Sequence, residues 1–357
     1  RRIASIGPYD ALIVGGTVRD LWMGENQTPD VDIATNAPVS VLEQHFPVHD
    51  IGRSKDFGIV VVAHRGFSFD VANFRSEEGY SDRRRPDKVS IVHSFEQDSR
   101  RRDFTINAIG IDGAGTIFDH HGGIDDIRRR VIRTVGRAQE RFQEDALRLI
   151  RAVRFAARFG FELEAETEDA IRQQAPSIRD LSAERVREEL FKAAKSGGRA
   201  LALFIRKLDQ VGLLQPILPE LKALQGLKHD LRHHPEGHVY EHVLAAVEAS
   251  PSRDGVENLA VLFHDLGKAT TLGHKENGQP TYHGHEAAGV PLFDEIAKRV
   301  KFSNDDADAI RLSISQHMHG HRLDVLSDRL QLKLRQDPHW PVLRNTIYSD
   351  EKARLHL

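Results

Sequence analysis

Apolar and polar residues follow two different periods along the chain. Between Ala11 and about Arg133, short β-rich segments partly alternate between apolar and polar positions, as half-buried strands do. The predicted strands are "ALIV", "DVDIAT", "FGIVVVA" and "FSFDVANF". The segment "VSVLEQHF" has helical spacing instead. This part of the chain therefore predicts a small β-sheet with helices.

From about Gly136 the period is helical. The segment "RFQEDALRLIRAVRFAARFGF" places Phe142, Leu149, Val153 and Ala156 on one stripe and predicts a single long helix. Further amphipathic helices are predicted in "TEDAIRQQA", "SAERVREELFKAAK" and "GGRALALFIRKLDQVGLL". We predict an α+β fold with three domains. These are a head over residues 1–135, an all-helical neck and body over 136–230, and a His-rich helical domain over 231–357.

The stretch between Phe74 and Asp103 fits neither period. It is polar, rich in Arg, and contains Gly and Pro. It predicts a long mobile loop, and loops of that length are usually functional or disordered.

Composition narrows the class of protein. The 357 residues include no cysteine, which excludes disulfides and thiolate metal sites and fits a reducing cytoplasm. No apolar run approaches the roughly 20 residues that span a bilayer. The first residues lack an initiator Met and a signal-peptide core, so we expect a trimmed N-terminus. We predict a cytoplasmic protein without a membrane partner.

Charge and histidine are concentrated locally. The formal net charge of −3 argues against a protein that coats nucleic acid indiscriminately, yet "SDRRRPDK" and "DSRRRDF" are basic. Such patches suffice to bind a phosphate backbone or a triphosphate. The 20 His residues concentrate after Lys228.

Three aspartates on predicted strands suggest a metal site. Asp30 and Asp32 are two residues apart, so a strand would place both carboxylates on one face. Their repulsion is tolerable if a divalent cation lies between them, and Mg²⁺ prefers carboxylate and phosphate oxygens. Two such ions would activate an attacking hydroxyl and neutralise a leaving pyrophosphate. Asp70 is a candidate third carboxylate.

A glycine turn precedes these aspartates. Gly15 and Gly16 allow the backbone to approach phosphate oxygens, and Arg19 lies one turn further on. A surface D-x-D beside an ordinary turn would contain similar letters. The combination of G-G-x-V-R-D with D-x-D is much more specific.

The string "GGTVRD…PDVDIAT" resembles the active-site signature of the class II tRNA nucleotidyltransferases and bacterial poly(A) polymerases. The resemblance implies a head of the DNA polymerase β-like nucleotidyltransferase type. "RRDFTINAI" is similar to the family's second motif. By that resemblance Arg102 binds phosphate, Asp103 accepts from ribose hydroxyls and Asn107 bridges sugar and backbone.

"EDALR" is similar to the family's base-selecting motif, with Glu144, Asp145 and Arg148. On one helix, Asp145 and Arg148 would be neighbours on the same face, where they form either a base-reading pair or a simple salt bridge. A carboxylate beside a guanidinium can read the edges of cytosine and adenine. The resemblance implies a protein template that selects CTP and ATP, and we add Arg151 to the nucleotide-binding set.

Other segments resemble accessory motifs of the family. "FDHHGGIDDI" supplies Asp119 and Asp125, which we expect to brace the head. "FRSEEGYSDRRRPDKV" matches the flexible loop linked to switching from C to A addition, and "LSAERVREEL" a scaffold for the base-selecting helix. The candidate tRNA-binding residues in these last two segments are Arg84, Arg85, Arg185 and Arg187.

The His-rich segment contains "HPEGHVYEH" and "HDLGK", which resemble the HD metal-dependent phosphohydrolases. The resemblance implies a metal site for Ni²⁺, Co²⁺, Mn²⁺ or Mg²⁺ that hydrolyses a phosphoester such as a 2′,3′-cyclic phosphate. An HD fold that only packs and holds tRNA is the alternative. The ligand candidates are His242, His264, Asp265, His285 and His317, with His283 as a less favoured substitute and Asp350 as the final carboxylate.

Together the motifs predict an enzyme that adds C, C and A to the 3′ end of tRNA from CTP and ATP, with Mg²⁺ as cofactor. The alternatives are an A-adding enzyme, a poly(A) polymerase, or an HD nucleotide phosphohydrolase whose head only binds.

Overall fold

The computed structural model describes residues 3–25, 31–49, 58–81, 83–84, 86–229, 237–320 and 325–355. The chain forms two compact units. The first comprises Arg1–Arg148 and Phe161–Gln174, and the second comprises Leu149–Gly160 and Ala175–Leu357. The division into three domains at residues 135 and 230 stays a prediction.

The strands of the first unit include all four that the sequence predicts. They are β1 Ala11–Val14, β2 Asp32–Thr35, β3 Val48–His49, β4 Ile59–His64, β5 Phe67–Asn73, β6 Arg75–Glu78, β7 Lys88–Ile91, β8 Ile109–Asp112, β9 Ile117–Asp119, β10 Val131–Ile132 and β11 Glu162–Leu163. The main sheet has the order β3-β4-β5-β2-β1-β8-β9. Its β2–β5 pair is parallel, and the other pairs in this sheet are antiparallel.

Helices occur in both units. They are α1 Gly16–Trp22, α2 Val39–His45, α3 Phe95–Ser99, α4 Gly123–Arg129, α5 Ala138–Glu144, α6 Leu147–Phe159, α7 Ala165–Gln174, α8 Ala183–Lys195, α9 Gly198–Gln210, α10 Leu214–Ile217, α11 Pro219–Lys222, α12 Val239–Ala249, α13 Gly255–Phe263, α14 His285–Val300, α15 Asn304–Gly320, α16 Asp328–Gln336 and α17 Trp340–Leu355. The second unit also contains the strand pair β12 Gly273–His274 and β13 Pro280–Thr281. No helix in the described ranges is long and apolar enough to cross a membrane.

A small apolar cluster fixes the centre of the main sheet. Leu12 and Val14 of β1 and Ala34 of β2 pack with Phe74 and Phe95. Alternate residues of a strand share a face, so Asp32 of β2 points to the same side as Ala34. The cluster thus anchors the face on which the candidate carboxylates lie.

The prediction of one long loop between Phe74 and Asp103 is wrong. Strands β6 and β7 pair as an antiparallel hairpin, and α3 follows them. Charged side chains also pair across the hairpin, where Lys88 Nζ lies 3.5 Å from Glu78 Oε2. Strand β6 consists of polar residues and β7 alternates over only four residues, so the hydrophobic pattern did not reveal the hairpin.

The prediction of one long helix through "RFQEDALRLIRAVRFAARFGF" is also wrong. Helix α5 ends at Glu144, Asp145 adopts an extended conformation with φ −151°, and α6 begins at Leu147. The Asp145 carboxylate accepts the backbone N–H of Leu147 at 3.0 Å. Asp favours such local bonds over a helix interior, so the apolar stripe continues across a break that it does not signal.

Candidate active site and metal centre

Two of the three predicted catalytic carboxylates lie side by side in the first unit. Asp32 of β2 and Asp70 of β5 are partners in the parallel ladder, so their side chains leave the same face of the sheet. Both residues are exposed. Asp30 lies outside the described residues. The pair forms an open carboxylate surface suited to a hard divalent ion.

The glycine turn lies against this surface. Gly15 has φ +69°, and a Cβ there would lie 3.8 Å from Asp32 Oδ2 and 3.4 Å from Arg102 Nη1. A Cβ on Gly16 would lie 3.3 Å from an Arg19 guanidinium nitrogen. The turn therefore brings backbone, a carboxylate and two guanidinium groups close together, as a triphosphate–metal site requires.

Arg19, Asn107 and Asp103 form a hydrogen-bonded chain beside the turn. Arg19 is 3% exposed and donates to Asn107 Oδ1 at 2.5 Å and to Asp20 at 2.7 Å. Asn107 donates in turn to Asp103 Oδ1 at 3.0 Å. Arg102 reaches the same segment through the Asn107 carbonyl at 3.3 Å. The sequence-predicted phosphate and ribose residues thus share one network.

The pair that the sequence predicts to select the base, Asp145 and Arg148, differs from the predicted geometry. Because the helix is interrupted at Asp145, Asp145 and Arg148 do not share a helical face, and the guanidinium of Arg148 pairs with Glu144 instead. Arg148 is nine-tenths buried and also donates to the Arg101 carbonyl at 3.3 Å. Burial would lower the pKa of Arg148, but the charges of Glu144 and Asp103 outweigh burial and raise the pKa.

Asp98 is a buried residue beside this site that the sequence interpretation missed. Its carboxylate accepts hydrogen bonds from Arg101 and Arg102. The available signal was the acid placed three and four residues before two arginines in "DSRRRD".

Five further candidates have different settings. Arg84 is exposed and Arg85 lies outside the described residues. In the second unit, Arg151 lies over the Phe155 ring at 5.3 Å, and Arg187 donates to the Lys301 carbonyl. Arg185 is partly exposed. Their predicted roles in nucleotide and tRNA binding stay predictions.

The second unit contains a buried cluster of imidazoles and carboxylates. His242 of α12, together with His264 and Asp265 after α13, forms one group whose ligand atoms all lie within 4.8 Å of each other. Asp350 of α17 joins it, with Oδ1 at 2.9 Å from His242 Nε2 and 4.0 Å from His264 Nε2. All four residues are at most 1% exposed.

A second group shares Asp265 with the first. Asp265 Oδ1 lies 3.2 Å from His285 Nε2 and 3.8 Å from His317 Nε2, whereas Asp265 Oδ2 faces His264 at 3.2 Å. The two carboxylate oxygens thus face two different sets of imidazoles. His283 is exposed and belongs to neither group.

The imidazoles are oriented as metal ligands. The Nδ1 atoms of His264, His285 and His317 lie 2.7–2.8 Å from backbone carbonyls. A proton on Nδ1 leaves Nε2 as a lone pair directed at the cluster. His264 Nε2 is buried and has no hydrogen-bond partner among the described residues. Burial lowers the pKa of His317 to about 3, which keeps the ring neutral. These features fit a bound cation.

Lys268 is a further buried residue that the sequence interpretation missed at this centre. Its ammonium lies 2.6 Å from Asp265 Oδ2, and its residue is 5% exposed. Lys268 follows Asp265 by one helical turn in "HDLGK", and this spacing was the signal in the sequence that could have revealed the contact.

Two family descriptions match parts of the chain. Residues 11–133 match the family described as "Poly A polymerase head domain". Residues 160–225 match "Probable RNA and SrmB- binding site of polymerase A".

Curated relatives agree with these matches. The CCA-adding enzyme of Geobacillus stearothermophilus is 48% identical over 206 residues, which cover 57% of this chain and 50% of that protein. The CCA-adding enzyme of Lactobacillus johnsonii is 40% identical over 228 residues, covering 64% and 55%. The chain spans about half the length of the curated relatives it matches.

Solved structures extend the likeness to nearly the whole chain. The crystal structure of the Bacillus stearothermophilus CCA-adding enzyme in complex with CTP has a TM-score of 0.71 at 32% identity, covering 99% of this chain and 79% of that one. A tRNA nucleotidyltransferase complexed with a primer tRNA and an ATP analog shares the fold, with a TM-score of 0.66 at 20% identity and coverage of 99% and 96%. The predicted α+β fold is confirmed. On the combined evidence of motifs, fold and identity, the chain belongs to the nucleotidyltransferase family of the CCA-adding enzymes and poly(A) polymerases.

Proposed function

We propose that this protein adds C, C and A in turn to the 3′ end of tRNA, using CTP and ATP and releasing pyrophosphate. The observation that carries the proposal is the in-register pairing of Asp32 with Asp70 beside the Gly15 turn. Family membership supports the same reaction, and the CTP complex of the Bacillus stearothermophilus relative supports CTP as a substrate. The cysteine-free composition supports a cytoplasmic location.

The residues of the first unit divide the work by chemistry. Mg²⁺ held by Asp30, Asp32 and Asp70 would assist attack of the tRNA 3′-hydroxyl on the α-phosphate and neutralise the leaving pyrophosphate. Gly15, Gly16, Arg19 and Arg102 bind the triphosphate. Asp103 and Asn107 contact the ribose.

Base selection belongs to the residues around the α5–α6 break. Arg148 donates to an acceptor edge of the base, and Asp145 accepts from the exocyclic amine. That combination suits cytosine and adenine and rejects guanine and uracil. Arg148 is held by Glu144 and the Arg101 carbonyl, so it presents its remaining donors in a fixed direction.

Primer extension tests the proposal. Three tRNAs, ending before the first C, after one C and after CC, are incubated with each nucleoside triphosphate separately. We expect C on the first two substrates and A on the third. Asp30→Ala with Asp32→Ala should abolish extension, whereas Asp125→Ala, an exposed carboxylate of the same unit, should retain it.

The same assay separates the alternatives. Addition of A alone to the third substrate would identify an A-adding enzyme, and long A tails would identify a poly(A) polymerase. Undiminished CTP incorporation by the double aspartate variant would contradict the assigned site.

We also propose a metal-dependent phosphohydrolase site in the second unit. The specific observation is that the two oxygens of the buried Asp265 carboxylate face His264 and His285, each at 3.2 Å, so these residues would hold a divalent ion. Imidazole and carboxylate ligands suit Ni²⁺, Co²⁺ or Mn²⁺, with Mg²⁺ as the alternative. Such an ion, when bound, supplies an activated water for attack on a phosphoester such as a 2′,3′-cyclic phosphate.

Metal content and hydrolysis test this second site. The purified full chain, loaded with each ion in turn, is assayed for bound metal by mass spectrometry and for hydrolysis of a 2′,3′-cyclic nucleotide. His264→Ala and Asp265→Asn should lose both. The exposed His283 offers a matched control, so His283→Ala should retain both. A wild-type protein that binds no ion would leave the alternative of a purely structural fold.

A further inference from the structure

Asp98 is a charged residue buried under the candidate nucleotide site. It lies near the end of α3 and is 0% exposed. Burying a carboxylate is costly unless it is paired and fully hydrogen-bonded. The hydrogen-bond partners of Asp98 therefore indicate the role of its buried carboxylate.

One carboxylate oxygen of Asp98 accepts two hydrogen bonds from Arg102. Oδ2 accepts from Arg102 Nε at 3.3 Å and from Nη2 at 3.0 Å, a two-point contact along one edge of the guanidinium. The remaining nitrogen, Nη1, lies at the Gly15 turn and donates to the Asn107 carbonyl at 3.3 Å. The Phe95 ring lies 5.6 Å beneath the guanidinium carbon. This side chain is thus fixed in direction as well as in place.

The other oxygen of Asp98 secures the surrounding backbone. Oδ1 accepts from Arg101 Nε and Nη2 at 2.9 and 2.8 Å. It also accepts the backbone N–H of Arg75, at the start of β6, at 3.2 Å. The carboxylate therefore ties the hairpin to the segment that carries Arg102.

We propose that Asp98 is a positioning residue, which holds Arg102 so that its Nη1 group, at the Gly15 turn, meets the triphosphate of CTP and ATP. The proposal rests on the proposed nucleotidyl transfer. Both nucleotides carry the same triphosphate, so the effect of Asp98 is the same for CTP and ATP and independent of the base.

A double-mutant cycle on nucleotide affinity tests this role. The Kd for CTP and for ATP, each with Mg²⁺ and without tRNA, is measured by calorimetry for wild type, Asp98→Asn, Arg102→Ala and the double variant. We expect Asp98→Asn to raise both Kd values about ten-fold, the effect of losing one charge-assisted contact. In the Arg102→Ala background the same change should alter Kd by less than about two-fold.

Asp126 provides the matched control. It is also a buried carboxylate of the first unit, at 1% exposure. It pairs with Arg129 and Arg133 and accepts a hydrogen bond from Thr105 Oγ1 at 2.6 Å, and none of these three residues has an assigned role. We expect Asp126→Asn to lower the melting temperature and leave both Kd values unchanged. If Asp98→Asn behaves like Asp126→Asn, or raises Kd equally with and without Arg102, the positioning role is overturned.

Two further measurements keep the test decisive. If Asp98→Asn fails to fold, Arg102→Lys replaces it, because lysine keeps the charge and cannot make the two-point contact. We expect Arg102→Lys to weaken both nucleotides about as much as Arg102→Ala, and wild-type affinity would overturn the proposal. A wild type that binds CTP but extends no tRNA contradicts only the proposed reaction. A wild type that binds neither nucleotide contradicts both.

Discussion

A buried carboxylate between two arginines makes stability depend on pH in a definite direction. Burial raises the pKa of Asp98, but the charges of Arg101 and Arg102 outweigh burial and hold the pKa below its usual range. An acid whose pKa is lower in the folded than in the unfolded state stabilises the protein above its unfolded pKa, about 3.9 for Asp. That contribution is lost as pH falls through the folded pKa.

The first prediction therefore concerns the difference in unfolding free energy between wild type and Asp98→Asn. We expect the largest difference near pH 7 and a progressive decrease below about pH 4. Urea unfolding at a series of pH values measures it. Asp125, which the sequence predicted to brace the head, is exposed, so Asp125→Asn should change the free energy of unfolding by less than about 0.5 kcal/mol near pH 7. A difference that grows as the solution becomes acidic would contradict the assigned charge state.

The second prediction concerns Glu144, which pairs with the buried Arg148. Glu144→Gln removes the charge that orients the guanidinium, so Arg148 presents its donors less sharply. We expect misincorporation of UTP and GTP at the first position to rise about ten-fold relative to CTP, equivalent to roughly 1.4 kcal/mol of lost discrimination. Single-nucleotide primer extension measures the ratio.

The neighbouring Glu140 is a control for Glu144. It lies on the same helix, its side chain is 55% exposed, and it pairs with Arg137. Glu140→Gln should leave the incorporation ratio at the wild-type value. Equal fidelity in both variants would show that Arg148 needs no acid to hold it.

At this scale, the sequence located residues better than it located their partners. The two-residue spacing of Asp30 and Asp32, with Asp70 on another predicted strand, predicted a shared carboxylate site. In the structure Asp32 and Asp70 are paired in register. The sequence did not predict that Arg148 pairs with Glu144, or that Asp98 is buried. An acid a few residues from an arginine usually forms an ion pair at the surface. Whether such a pair is buried depends on how other elements pack over it, which the local sequence does not report.

At the scale of elements, apolar periodicity predicted four strands of the seven-stranded main sheet and failed where polar contacts define structure. The β6–β7 hairpin is paired through its backbone and lined by charged residues. The α5–α6 break depends on one local bond from Asp145. Both failures concern backbone hydrogen bonds, which the hydrophobic pattern does not report.

The third prediction concerns the contact between α4 and the turn that carries Asn107. A Cβ on Gly123, the first residue of α4, would lie 2.2 Å from the Thr105 carbonyl oxygen. Alanine favours a helix by up to about 1 kcal/mol over glycine, but this clash is with backbone that cannot rotate away. We expect Gly123→Ala to destabilise the protein by about 1–3 kcal/mol, measured by thermal or urea unfolding.

Gly255 tests whether the backbone clash, rather than helix propensity, decides if a Gly→Ala substitution stabilises or destabilises the protein. It is the first residue of α13, and a Cβ there would meet side-chain atoms of Lys195 and Phe191 at 3.2 Å. The Lys195 chain is flexible, so Gly255→Ala should cost less than Gly123→Ala. Equal stability of the two variants would contradict the close packing of α4.

At the scale of the whole chain, the two candidate sites draw on separate parts of the sequence. Asp32, Asp70, Gly15 and Arg102 belong to the first compact unit. The residues of the candidate metal centre belong to the second unit, although they are far apart in the sequence. They are His242, His264, Asp265, His285, His317 and Asp350. Motif spacing predicted both sets, but only the packing of α12, α14, α15 and α17 brings the second set together.

The last prediction is that the two proposed activities can be removed independently. The ion pairs that join Asp265 to four histidines and His242 to Asp350 lie within the second unit, and the Asp32–Asp70 pair is fixed by a ladder of the main sheet. Asp32→Ala should therefore abolish CCA addition while metal content and phosphoester hydrolysis stay at wild-type values. Asp265→Asn should have the opposite effect. Both assays, run on both variants, give four results. Loss of both activities in either variant would contradict independence, provided that circular dichroism shows the variant to be folded.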